Sequence, residues 1–394
     1  MKPSKPIVFV PGIKGSGLEN SYPMEPATTW SAWRAVAGGS LKSLLLDLQG
    51  EVDEWDDVVN RPTQALHIAY AKFVEGLRGR LEVPIYVFPY DWRLSCGENG
   101  RRLASFVEHL RKKPMHALPG WRKAGGLVDL VCHSMGGLVA RAALQEWGRA
   151  RGERPPVGNL VFIATPHLGS LDSVKAMIVG DTPILDFRKE LRKLARSLPS
   201  VYELLPRFEA PVVAKGAPRT ALEVFDLRSW QSNVTSPSDE LLFVLQRRLD
   251  EARRFLEELP WPDDRDCKVQ GKVFSVYGVR EGSTLVQVPV DTRRADPKML
   301  YLFDEAKKGA GDEVVPVVSA IPDALGGVRV AVPYSDAGFW PSELPARVSF
   351  HAFLCALDEV QTMVGRFLES PSTRKLEKMQ PINLRLGLGA PAAR

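Results

Sequence analysis

Leu127-Val128-Asp129-Leu130-Val131-Cys132-His133-Ser134-Met135-Gly136-Gly137-Leu138-Val139-Ala140-Arg141 reads as a β-branched strand that stops abruptly and becomes a helix. The helix-like pattern begins at once, with Leu138, Ala142 and Leu144, so Ser134 falls at the reversal between the two elements. This is the pattern of a nucleophile elbow, in which a sharp strand-to-helix turn lifts a serine oxygen clear of the sheet edge. Gly136 supplies the missing side chain that such a turn requires, and the Met135 N–H and the new helix N-terminus point at whatever Ser134 attacks. The usual motif is G-x-S-x-G; here its first position is Cys132, which is small but not glycine.

Strand-like and helix-like segments alternate on either side of this stretch. Pro6-Ile7-Val8-Phe9-Val10 is a continuous apolar run of the kind a buried parallel strand shows. It ends in Pro11-Gly12-Ile13-Lys14-Gly15-Ser16-Gly17, a glycine-rich loop that fits neither phosphate-binding spacing, and Ile13 is the candidate second oxyanion donor beside Met135. Val83 to Phe88 is a further short strand, closed by Pro89-Tyr90-Asp91-Trp92-Arg93, in which Asp91 and Arg93 read as a buried pair pinning a loop. Gly100 to Lys113 reads as an amphipathic helix, and Leu160 to Ala164 as the next strand. Such alternation predicts an α/β fold of the α/β-hydrolase kind, with a mostly parallel central sheet and helices on both faces.

Two stretches interrupt the alternation. Residues of about 18–80 lack clean sheet periodicity and carry Trp30 and Trp33, which predicts an inserted lid whose aromatics meet substrate or fill a satellite core. Residues of about 171–266 read as a helical cap. Within it Phe187, Leu191, Leu194 and Leu198 share a face, while Arg188, Lys189, Arg192, Lys193 and Arg196 crowd the others. A basic amphipathic helix of this sort can lie on an anionic membrane, and it is equally what a solvated cap helix with a buried stripe looks like. One catalytic domain over residues 1–370 is expected, with a partly disordered tail over 371–394.

The remaining candidates come late in the chain. Asp312, on the turn Gly309-Ala310-Gly311-Asp312-Glu313-Val314-Val315-Pro316, is the expected triad acid, with Glu313, Asp304 and Asp323 as rivals. His351, just before an apolar-striped helix running to about Leu368, is the expected base among six histidines. His167, in Thr165-Pro166-His167-Leu168-Gly169, precedes any acid in the Ser, Asp, His order and is expected near the pocket mouth instead.

Composition excludes several classes. A net charge of +5 over 394 residues, without basic runs interleaved with aromatics, does not call for nucleic acid. Four cysteines without paired spacing argue against zinc or a disulfide framework, and the expected chemistry needs no metal and no cofactor. The first residues carry no long apolar run and nothing later reaches transmembrane length, so the expectation is a cytoplasmic protein, peripheral at the membrane at most.

Taken in order, Pro11-Gly12-x-x-Gly15-Ser16, Phe88-Pro89-Tyr90-Asp91-Trp92-Arg93, His133-Ser134-Met135-Gly136-Gly137, Ala164-Thr165-Pro166-His167-x-Gly169, Leu198-Pro199-Ser200-x-Tyr202-x-Leu204-Leu205-Pro206 and Gly311-Asp312-x-Val314-Val315-Pro316 resemble the lecithin:cholesterol acyltransferase family over about residues 6–366. The resemblance implies a phospholipid or other lipid acyl ester as substrate. It also implies Ser134, Asp312 and His351 as triad, Ile13 and Met135 as oxyanion donors, and a lid and membrane-facing insertion at about 20–80 and 175–210. Two departures stand out: no cysteine lies between Met1 and Ser95 to close the lid, and Glu313 stands where glycine is commoner. A phospholipase or lipase is the leading expectation; a lipid O-acyltransferase, a thioesterase or protein deacylase, and a non-catalytic scaffold are the alternatives.

Overall fold

The computed structural model describes residues 5–23, 25, 27–31, 41–46, 60–113, 118, 120–123, 125–180, 188–231, 234, 239–292, 300–334 and 349–370. Strand β1 (Ile7–Val10) lies between β5 (Ile85–Val87) and β6 (Val128–His133), and β6 pairs in turn with β7 (Val157–Ile163), all in parallel. The strand beyond β7 is the first part of β10 (Val273–Asp291), whose far neighbour is β13 (Val328–Pro333), again parallel. The central layer therefore runs β5-β1-β6-β7-β10-β13.

Alternation along these strands explains why both faces are covered. Val8, Val10, Leu130, Cys132, Leu160 and Phe162 face one core, shared with helices Cys96–Lys112 and Gly136–Gln145. Ile7, Phe9, Val131, Val161 and Ile163 face the other, shared with helices His67–Arg80 and Asp358–Glu369. A strand buried on both sides is mostly apolar, which is why β1, β6 and β7 read as runs rather than as alternating patterns; the buried Asp129 of β6 is satisfied by the Asn159 N–H of β7 at 2.6 Å.

The second part of β10 leaves the parallel layer. It pairs antiparallel with β12 (Lys307–Gly311) through two register shifts, and its end meets β8 (Val212–Ala214), itself paired with β9 (Ala217–Ala221), and β11 (Leu300–Tyr301). The Asp312 turn hangs from the end of β12.

Residues 32–40 and 47–59 of the expected lid lie outside the described residues. β2 (Ser16–Asn20), β3 (Ala27–Trp30) and β4 (Asn60–Ala65) form a small antiparallel sheet. The period is hidden because β4 is largely polar and partly exposed. Helix His67–Arg80 belongs to the core: Tyr70, Phe73, Val74 and Leu77 recur at helical spacing and are all buried. Trp33 and the expected tail at 371–394 lie outside the described residues. Among the described residues no helix is long and apolar enough to cross a membrane.

Candidate active site

Ser134 sits at φ 53°, a left-handed conformation that a non-glycine residue adopts only when its surroundings impose it. Its N–H donates to the Ile163 carbonyl at 2.8 Å, extending the β6–β7 ladder into the turn. A Cβ at residue 136 would overlap the carbonyl oxygens of Pro11 and Val10, so only glycine lets the helix start this close to the β1 loop. Cys132, the departure from the usual motif, points into the core between Val10 and Phe162, where a small thiol fits.

His351 Nε2 lies 2.8 Å from Ser134 Oγ, and His351 Nδ1 lies 2.7 Å from Asp312 Oδ2. Residues far apart in sequence are thus joined in one hydrogen-bonded series. With the Nδ1 proton given to the carboxylate, Nε2 is free to accept the serine proton. The other oxygen, Asp312 Oδ1, accepts the N–H groups of Val314 (3.1 Å) and Val315 (2.7 Å), which fixes the carboxylate plane. Of the rivals, Glu313 faces Arg280 and Phe350, and neither Asp304 nor Asp323 bonds to His351.

Beside Ser134 lies the Gly12–Ile13 loop. Neither the Ile13 nor the Met135 N–H has a protein acceptor among the described residues, and Ile13 lines the cavity that opens on Ser134. Four aromatic side chains brace this loop. Tyr90 Oη donates to the Pro11 carbonyl (2.8 Å), Trp92 Nε1 to the Ser16 carbonyl (3.1 Å) and Trp30 Nε1 to the Lys14 carbonyl (3.0 Å). Asp91 and Arg93, both buried, make a bidentate pair at 2.9 and 2.7 Å that holds the Tyr90–Trp92 turn.

The fourth is Tyr70, which the sequence reading left unassigned. The Gly12 N–H donates to Tyr70 Oη (3.0 Å), Tyr70 Oη lies 2.9 Å from His133 Nδ1, and His133 Nε2 lies 3.1 Å from the His351 carbonyl oxygen. One proton arrangement satisfies every atom: Tyr70 donates to Nδ1, and Nε2–H donates to the carbonyl. Burial, reinforced by the neighbouring His351 and opposed by the bond to its carbonyl, holds the His133 pKa down to about 3, so the ring is neutral. The helical stripe Tyr70-Phe73-Val74-Leu77 was the available signal.

Two expected substrate contacts are not on the cavity. Trp30 is buried edge-on against Trp92, ring centroids 5.2 Å apart, and supports the loop from behind. His167 is fully buried between Phe162 and Trp261, with Nδ1 3.3 Å from Arg141 Nη1; Pro166 lines the cavity in its place. Burial and the Arg141 charge push its pKa well below the ordinary range, so it stays neutral.

The cavity over Ser134 measures about 330 Å³; Ile13, Ala176, Leu191, Leu194, Ala195, Leu198, Val201, Leu204, Val314 and Val315 supply its apolar lining, and Lys14, Ser134, Ser170, Asp172, Ser173, Ser349 and His351 its polar lining. The apolar stripe of helix Arg188–Ser197 supplies part of this wall. Its basic face is partly used within the protein. Arg192 and Arg196 donate to the Val179 and Met177 carbonyls at the end of helix Leu171–Ile178, leaving Lys189 and Lys193 as the exposed cations.

The lecithin:cholesterol acyltransferase family model matches residues 78–253, a span that holds the elbow and the cavity-lining helix Arg188–Ser197 and ends before Asp312. No curated protein matches the chain. Among solved structures, a chain of the Tle4–Tli4 complex is similar at 16% identity and TM-score 0.54, over 92% of this chain and 99% of that one. Bacillus licheniformis lipase BlEst2 in mature form is similar at 12% identity and TM-score 0.40, over 93% of each chain. Phospholipase PlaB from Legionella pneumophila is similar at 12% identity and TM-score 0.37, over 96% of this chain and 62% of that one. The family match supports an esterase-type enzyme. Residues 78–253 are thus similar to the lecithin:cholesterol acyltransferase family, and the sheet with its flanking helices gives the chain an α/β-hydrolase fold.

Proposed function

We propose that this protein is a serine hydrolase of lipid acyl esters, with Ser134 as nucleophile, His351 as general base and acid, and Asp312 as the group that orients the imidazole. The observation that carries the reading is Ser134 Oγ, 2.8 Å from His351 Nε2, on the wall of a mostly apolar cavity of about 330 Å³.

In this mechanism Ser134 Oγ attacks the ester carbonyl as its proton passes to His351 Nε2, and Asp312 stabilises the imidazolium through Nδ1–H. The carbonyl oxygen gains negative charge and is met by the N–H groups of Ile13 and Met135 at the positively polarised start of helix Gly136–Gln145. Collapse of the tetrahedral intermediate breaks the ester C–O bond, and His351 returns the proton to the leaving alcohol. Water, deprotonated by His351, then releases the fatty acid and regenerates Ser134. Neutral His133 keeps its bond to the His351 carbonyl over the working pH range, so the backbone support does not titrate with the base.

The substrate approaches past helix Arg188–Ser197, with Lys189 and Lys193 turned toward anionic headgroups. The test is release of fatty acid from phosphatidylcholine vesicles and of alcohol from a short-chain aryl ester. Ser134→Ala is expected to lose activity on both by several orders of magnitude while melting at the wild-type temperature. Undiminished turnover by that variant would end the reading, and labelled products would reveal any transfer to an alcohol instead of water.

A further inference from the structure

Glu313 occupies a backbone conformation that it should avoid. Its φ is 80°, in the left-handed region, which disfavours a side chain of this size relative to glycine.

Its side chain faces the segment that holds His351. Glu313 Oε2 accepts the Phe350 N–H at 2.9 Å, and Glu313 Oε1 pairs with Arg280 Nη2 at 3.1 Å. The guanidinium of Arg280 lies over the Tyr334 ring, 5.0 Å from its centroid, and that ring is stacked on Phe350 at 3.6 Å. Glu313, Arg280, Tyr334 and Phe350 thus form a closed ring of contacts around the residue before His351. Ser349, the residue placed to cap the turn Phe350–Phe353, makes no side-chain cap bond, so the carboxylate satisfies a donor that a helix start otherwise leaves open. The next N–H, that of His351, donates to the Asp312 carbonyl at 3.1 Å. The Asp312 main-chain carbonyl and the Glu313 carboxylate therefore accept from consecutive N–H groups at the start of the segment that carries His351.

We propose that Glu313 is a positioning residue: by capping Phe350 and bracing Arg280 it sets the His351 imidazole against Ser134 Oγ. This rests on the catalytic reading of Ser134 and His351 given above. Glu313 is not on the cavity wall, so its effect falls on the reacting geometry and not on substrate affinity.

The test compares the wild type with Glu313→Gly, Glu313→Asp and Glu313→Gln. It reads the rate constant of Ser134 labelling by a fluorophosphonate, kcat and KM on an aryl ester, and the melting temperature. Glu313→Gly relieves the φ strain and is expected to melt at or above the wild-type temperature, while kcat and the labelling rate fall about 10- to 100-fold with KM within about twofold. Glu313→Gln keeps an acceptor for the Phe350 N–H and is expected to retain activity within about threefold of wild type. Glu313→Asp keeps the charge but loses the reach, and is expected to behave like the glycine variant. Equal labelling rates in all the folded variants would overturn the proposal, as would a glycine variant that melts lower while each folded molecule stays fully active. If the wild type itself leaves Ser134 unlabelled, the failure belongs to the catalytic reading and not to Glu313.

Discussion

The two sides of the candidate site are built differently. Ser134 hangs from β6, a strand with hydrogen-bonded neighbours on both sides and a buried residue at every position. His351 and Asp312 hang from the other side, where β10 has left the parallel layer through register shifts and side chains do the holding. On the elbow side, main chain and close packing fix the geometry, so errors there are errors of folding. On the histidine side, a few directed hydrogen bonds fix it, so errors there alter chemistry before they alter stability.

That contrast orders the expected effects. The largest is at the elbow: Gly136→Val places a side chain against the Pro11 and Val10 carbonyls and is expected to cost roughly 3 kcal/mol or more, read as loss of soluble protein or a lowered urea midpoint. A stable, fully folded Gly136→Val protein would break the claim that backbone contact fixes this side.

His133 gives an intermediate, pH-dependent effect. Its folded pKa, held to about 3 chiefly by burial, is below the ordinary value of 6.5. The unfolded chain therefore binds a proton that the folded chain refuses, so this contribution to stability is complete above about pH 6.5 and is lost as pH falls toward 3. Removing the titration in His133→Gln should flatten the loss of stability between about pH 6.5 and pH 4, measured by urea unfolding. An unchanged slope would mean that His133 is solvated or already charged in the folded state.

The smallest effect is on the outer surface. Because Arg192 and Arg196 are occupied with the Leu171–Ile178 helix end, replacing only Lys189 and Lys193 with glutamine should weaken sedimentation with anionic vesicles several-fold and leave aryl-ester turnover unchanged. Equal vesicle binding by that variant would remove the helix from the membrane-facing role.

What could be read from sequence divides along the same line. The strand-to-helix turn at Ser134, the buried strands and the meeting of Asp312 and His351 beside Ser134 were legible, because a strand buried on both faces has little compositional freedom and because chain order restricts which late loops can reach the turn. Trp30, read as either a substrate contact or a satellite-core residue, and His167, read as lying near the pocket mouth, were ambiguous for one reason. An aromatic or a histidine next to a functional loop can face the pocket or support the loop from behind, and only the tertiary partner decides; here Trp92 and the Lys14 carbonyl claim Trp30, and Arg141, Phe162 and Trp261 claim His167. Tyr70 was missed because a polar, partly exposed strand precedes its helix and the whole stretch read as an insertion. The split between Arg192, Arg196 and the free lysines depends on where the preceding helix ends, which no local pattern encodes.

The most direct test of the central claim is to treat the folded protein with a fluorophosphonate and map the adduct by mass spectrometry, beside His351→Ala. A single adduct on Ser134 in the wild type, slowed by orders of magnitude without the imidazole, is the predicted result. An unmodified Ser134, or labelling at the same rate when His351 is absent, would contradict the assignment of a serine activated by that histidine.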